Sequence, residues 1–92
     1  MQYSSIVVAG TFDGLHRGHE TLLNAAFAHG EYIVIALTSD VFVRQYKHAR
    51  EYDPRTYTSE QHIRSFAARK KDLADWLGRR RVSARAEIIS LD

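Results

Sequence analysis

The 92-residue chain is predicted to be an α/β domain built on an open parallel β-sheet with helices on both faces. Two short unbroken apolar runs, residues 6–9 and 32–37, read as strands covered on both sides. Between them, apolar residues recur at helical spacing. A polar, glycine-punctuated turn joins the first run to that helix, the pattern of a βαβ unit with a right-handed crossover. The length allows one domain, residues 1–92, with a modest core.

The first strand, Ile6-Val7-Val8-Ala9, ends at Gly10 and runs into the turn Gly10-Thr11-Phe12-Asp13-Gly14. Leu15, His19, Leu22, Leu23, Ala26 and Phe27 then mark one helix face, and Gly30 stands where a C-terminal cap belongs. The second strand runs from Tyr32 to Leu37 and is followed by Thr38-Ser39-Asp40. A short helix is expected over 41–48, opening at Ser39 or Asp40, and residues 49–58, with Asp53-Pro54, read as loop. From Ser65 onward, Phe66, Leu73, Trp76 and Leu77 define a helix that Gly78 closes. Its opposite face is assigned Arg69, Lys71, Asp72 and Asp75. Residues 85–91, centred on Ile88 and Ile89, predict a third strand, and no repeat or linker interrupts the chain.

With 45% apolar and 26% charged residues, the composition excludes disordered and low-complexity classes. No apolar run approaches the roughly 20 residues that span a bilayer, and no basic-then-apolar leader opens the chain. A cytoplasmic location and no membrane partner are therefore expected. The absence of cysteine excludes disulfides and thiolate metal sites. A net charge of +2 conceals an asymmetry: residues 1–43 hold one base against four acids, and residues 44–85 hold twelve bases against five. Such a basic half suits a small polyphosphate ligand. No nucleic-acid partner is expected, because Arg79-Arg80-Arg81 has no aromatic interleaving. The Lys and Arg residues of 69–85 read as solvated helix faces.

The segment that carries chemistry is Gly10-Thr11-Phe12-Asp13-Gly14-Leu15-His16-Arg17-Gly18-His19. It has no G-x-G-x-x-G and no Walker lysine, and Leu23 stands where a zinc protease would place its second histidine. His16 and His19 alone lack a third metal ligand nearby, so no metal site is assigned. What remains is two histidines at the mouth of a strand-to-helix junction, outside the carboxyl end of a parallel strand, where such sheets bind ligands. Unpaired backbone N–H groups and the helix dipole favour phosphate there. Gly18 lets it approach, and the i, i+3 spacing sets both imidazoles on one side of the first turn. Imidazole N–H groups aimed at phosphate oxygens stabilise an in-line displacement without a nucleophilic side chain. His29, His48 and His62 have no such context and read as surface residues. Asp13 is expected to fix the turn by bonding backbone amides.

Gly10-Thr11-Phe12-Asp13 with His16-x-Gly18-His19 resembles the signature of the H-x-G-H nucleotidyltransferase superfamily, whose Rossmann-like domains transfer AMP or CMP and release pyrophosphate. Ala36-Leu37-Thr38-Ser39-Asp40 is similar to the Leu-Thr-Ser-Asp element of archaeal and eukaryotic-type phosphopantetheine adenylyltransferases. Ile63-Arg64-Ser65-Phe66 through Arg69-Lys70-Lys71-Asp72-Leu73 resembles the start of that family's next helix. The resemblance implies transfer of AMP from ATP to 4′-phosphopantetheine, with Mg²⁺ accompanying ATP. It makes His16 and His19 catalytic, and assigns nucleotide binding to Gly10, Thr11, Phe12 and His19. Thr11 and Lys47 would hold the acceptor phosphate. Arg69 matches a helix arginine of the family and is expected to pair structurally with a neighbouring acid.

Related cytidylyltransferases and FMN adenylyltransferases share the signature, and a non-catalytic nucleotide-binding module is the alternative of another class. The family's C-terminal Ile-Ser-Ser-Thr-x-Ile-Arg motif has no counterpart after residue 80. With the family's strand order 3-2-1-4-5, the chain is expected to be truncated after its third strand. That leaves residues 6–9 at an open edge that invites self-association. Oligomeric state is undefined by the sequence.

Overall fold

A computed structural model describes residues 2–49 and 63–92. The order is β1 (Tyr3–Gly10), α1 (Arg17–His29), β2 (Gly30–Thr38), α2 (Asp40–Ala49), α3 (Phe66–Arg79), a single 3₁₀ turn (Ser83–Arg85) and β3 (Ala86–Leu91). The three strands are parallel in the order β1-β2-β3, with Val8 opposite Ile35 and Ile35 opposite Ile88. This is the expected open α/β sheet, and β1 lies at its edge among the described residues. The loop expected over 49–58 falls, beyond Ala49, outside the described residues.

Alternation along the strands decides what is buried. Val8, Ile33, Ile35 and Leu37 meet Leu23, Ala26 and Phe27 of α1 and Leu73, Trp76 and Leu77 of α3 in one core. Burial of each valine, leucine, isoleucine or phenylalanine among them contributes about 1.5–3 kcal/mol. Both crossovers advance in the same direction across the sheet, so connections of one hand set α1 and α3 on the same face. The opposite face, which the unbroken apolar runs led one to expect covered as well, stays open among the described residues, with Val7 64% and Ile89 42% exposed.

The ends of elements differ from expectation in informative ways. Leu15 precedes α1, which begins at Arg17 with His16 as its N-cap. Gly30 does cap α1, but in extended backbone, φ −119°. Its lack of a side chain answers a close approach instead, because a Cβ there would sit 2.9 Å from Ile6 Cδ1. Gly78 does not close α3, which runs through Arg79. Arg81 takes the left-handed position three residues later, with φ 59°.

Two basic residues depart from the solvated reading. Arg85 is half-buried; its Nη2 donates to the Phe27 and Gly30 carbonyls at 3.0 and 2.8 Å, and its Nε to the Glu31 carbonyl at 3.0 Å. It thereby satisfies a carbonyl that α1 leaves open in its last turn, together with two at the start of β2. Arg69 is wholly buried. Its place follows from spacing: Phe66, Arg69, Leu73 and Trp76 step by three, four and three, so Arg69 belongs to the apolar stripe. Lys70, Lys71, Arg79, Arg80 and Arg81 are exposed, as expected.

Candidate active site

β1 hands the chain to α1 through residues 11–16, and this junction forms one wall of an open cleft of about 360 Å³. Thr11, Phe12, Asp13, His16 and His19 line it from the junction, and Phe42, Val43 and Ile63 supply an apolar wall. The site is thus polar at one end and apolar at the other.

Phe12 holds the turn in an unusual conformation, φ 49°, which a non-glycine residue adopts at a cost. Its ring compensates by entering the core, where it is 2% exposed. Gly10 makes room for it, since a Cβ at Gly10 would lie 3.0 Å from Phe12 Cε2.

His16 and His19 form a reciprocal cap at the start of α1. His16 Nδ1 accepts from the Gly18 amide at 3.0 Å, and His19 Nδ1 accepts from the His16 amide at 3.4 Å. The rings stack with centroids 3.8 Å apart, and Phe12 tilts against His19 at 5.1 Å. An imidazole nitrogen that accepts a hydrogen bond carries no proton, so each neutral ring bears its proton on Nε2. The backbone of the helix start therefore selects the tautomer of both histidines. Burial, then the nearby His16, lower the His19 pKa from 6.5, against an opposing hydrogen bond to the Gly14 backbone. His19 is accordingly a neutral donor at physiological pH. A Cβ on Gly18 would press on His16 Cε1 at 3.0 Å, so this glycine shapes the pair directly.

Asp13 differs from expectation. Its Oδ1 accepts from Arg64 Nε at 3.0 Å, tying the turn to the entry of α3. Arg64 also holds Asp72, and these two partners, Asp72 first, raise its pKa.

At the end of β2, Ser39 Oγ accepts from the Phe42 amide at 3.0 Å, which starts α2 as expected. Asp40 Oδ1 accepts from the Phe66 amide at 2.8 Å. Arg69 reaches Asp40 at 3.3 Å, the acid pairing expected of it, but its closer partners are carbonyls. Nη1 donates to Thr38 O at 2.8 Å and Thr11 O at 3.0 Å, and Nε donates to Arg64 O at 2.8 Å. Arg69 thus clasps the ends of β1 and β2 from beneath the cleft. The sequence reading quoted Thr38 and Arg64 in its motifs but gave neither a role, and it missed this clasp, although the spacing of Arg69 on the apolar stripe announced its burial. Lys47 lies in α2, but its side chain, like that of His48, is outside what the structure describes; His62 is outside the described residues, and His29 is exposed.

Among the described residues no group of three His, Asp or Glu side chains gathers to hold a metal ion. Asp13, the carboxylate lining the cleft, is engaged by Arg64. These side chains do not form a protein-held Mg²⁺ site, and among the described residues no helix is long and apolar enough to cross a membrane.

A phosphate-receptive junction at the carboxyl end of a parallel sheet, flanked by paired imidazoles, defines a class, and sequence comparison agrees with it. The chain belongs to the Cytidylyltransferase-like family, whose sequence model matches residues 7–82. Among curated proteins it is similar to the phosphopantetheine adenylyltransferase of Pyrococcus abyssi, 38% identical over 84% of this chain and 42% of that protein. The enzyme of that name from Methanopyrus kandleri is 31% identical over 99% of this chain and 50% of its own length. That of Thermococcus kodakarensis is 47% identical over 58% of this chain and 32% of its own. The chain spans between about a third and a half of the length of these relatives. No solved structure matches it.

Proposed function

We propose that the chain supplies the histidine-bearing half of an enzyme that transfers AMP from ATP to 4′-phosphopantetheine, giving dephospho-coenzyme A and pyrophosphate. The observation that carries the reading is the reciprocal cap of His16 and His19, which turns both Nδ1 atoms to backbone amides and makes both Nε2–H groups donors beside a helix N-terminus, that of His19 directed at the Gly14 backbone. The names of the relatives support 4′-phosphopantetheine as the acceptor. An acceptor phosphate oxygen attacks the α-phosphorus of ATP; the new O–P bond forms as the bond to the β-phosphate oxygen breaks, and pyrophosphate leaves. No covalent enzyme intermediate is required.

In this mechanism His16 and His19 donate to non-bridging oxygens as charge accumulates on them. Thr11 contacts the transferring phosphates, the backbone of Gly10 and Phe12 faces the nucleotide, and Lys47 neutralises the acceptor phosphate. The apolar wall of Phe42, Val43 and Ile63 suits the pantetheine arm. Mg²⁺ enters as the counter-ion of ATP rather than as a resident of the protein. The expected cytoplasmic location accompanies this reaction.

The family description favours a second reading, with CTP as the nucleotide. Mass spectrometry of a reaction offered phosphopantetheine with ATP or CTP separates the two. Dephospho-coenzyme A formed from ATP, with pyrophosphate in equal amount, is the expected result. Product from CTP alone would reverse the nucleotide assignment.

A further inference from the structure

Beneath the cleft, three side chains form a chain of hydrogen bonds whose direction is fixed at one end. Arg69 Nη1, whose two hydrogens also serve the Thr38 and Thr11 carbonyls, shares one of them with Thr38 Oγ1 at 3.2 Å, and a guanidinium has no acceptor, so this bond has a single polarity. Thr38 Oγ1 lies 3.0 Å from Thr11 Oγ1 and donates to it. Thr11 Oγ1 is thereby an acceptor from within the protein. Its own proton meets no acceptor among the described residues, and Thr11 lines the cleft. Arg69 is fully buried and Thr38 is 4% exposed, so water does not compete for the inner links.

We propose that Arg69, acting through Thr38, fixes the Thr11 hydroxyl as a dedicated donor into the cleft and so selects an anionic oxygen at that point. The reading of the cleft as a phosphate site underlies this assignment. Successive hydrogen bonds polarise one another, and the relay starts from a full positive charge in a dry setting. Arg69 and Thr38 are positioning residues, whereas Thr11 touches the ligand. The relay also explains a buried arginine whose acidic partner, Asp40, is 49% exposed and 3.3 Å away. Its charge is directed at the bound anion as well as at the strand-end carbonyls. Sequence spacing alone does not reveal this, because the three residues stand 27 and 31 positions apart.

Removing Arg69 would also release two strand ends, so the informative substitution is Thr38→Val, which deletes the hydroxyl and preserves shape. Calorimetric titration of the chain with tripolyphosphate and with ATP reads the effect. The amide spectrum of Thr11, Phe12 and Gly18 checks that the junction keeps its structure. Thr38→Val should weaken binding of both ligands about tenfold or more, the scale of a charge-assisted hydrogen bond. Thr38→Ser, which keeps the hydroxyl, should restore it. If Thr38→Val binds like the unmodified chain while Thr11→Val loses affinity, the relay is overturned and the phosphate site stands. Equal losses in Thr38→Val and Thr38→Ser would also overturn it, by assigning the position to packing. If the unmodified chain binds neither ligand, the phosphate reading and the relay fall together.

Discussion

His19 occupies the third position of α1; its Nδ1 accepts from the His16 amide while Nε2–H is the donor, directed at the Gly14 backbone. Capping and the proposed catalysis therefore draw on opposite nitrogens of one ring, and a phosphate oxygen would take or share the donor now directed at the Gly14 backbone. His19→Ala should lower turnover of the adenylyl transfer by about 10²–10³, the usual loss for one donor to a charged transition state. The melting temperature should change little by comparison, which circular dichroism would check. The lowered pKa of His19 adds a pH dependence with a definite sign. The unfolded chain takes up a proton near 6.5 while the folded chain still resists it. The stability linked to His19 is thus fully present above that value and is lost as pH falls through it toward the lower native pKa. His19→Gln should flatten the fall in melting temperature between about pH 7 and pH 5. A decline as steep as that of the unmodified chain would reassign the acid sensitivity to another group.

At the scale of elements, β1 and β2 end side by side, and α3 fastens both ends through Arg69 while its entry holds Asp13 through Arg64. The loop proposed to bind phosphate is therefore braced by a helix some fifty residues later in the chain. Leu73, fully buried one turn after Arg69, anchors that helix to the sheet. Leu73→Ala should cost about 2–5 kcal/mol in urea unfolding, whereas Arg79→Ala, on the exposed face, should stay within about 0.5 kcal/mol.

The elements and the histidine pair were legible in the sequence because periodicity and short motifs are local signals. The strands at residues 6–9 and 32–37 and the helix after Ser65 appear where the apolar spacing puts them. Long-range pairings carry no such signal. The Arg64–Asp13 bond spans 51 residues, and the carbonyls claimed by Arg85 become its partners only when β3 docks on β2. Arg69 is an intermediate case. Its charge suggested solvent, while its position on the apolar stripe told the truth, and the carbonyls at the strand ends made burial tolerable.

For the whole molecule, the sheet faces two environments. α1 and α3 bury one face, while Val7, Ile89 and the edge of β1 remain open among the described residues. β1, Tyr-Ser-Ser-Ile-Val-Val-Ala-Gly, carries neither charge nor proline to discourage pairing with another strand. Val7→Lys should therefore raise the concentration at which light scattering detects association of the chain. No shift in that concentration would locate association elsewhere.

The carboxyl end of the sheet gathers the β1–α1 junction with His16 and His19, the buried Arg69, and Arg64 at the entry of α3. Titrating the isotopically labelled chain with ATP and following its amide resonances tests this arrangement most directly. The largest shifts should fall on Thr11, Phe12, His16, Gly18 and His19, with smaller ones at Thr38. Shifts centred on Arg79, Arg80 and Arg81, with the junction unmoved, would contradict the assignment of the triphosphate site.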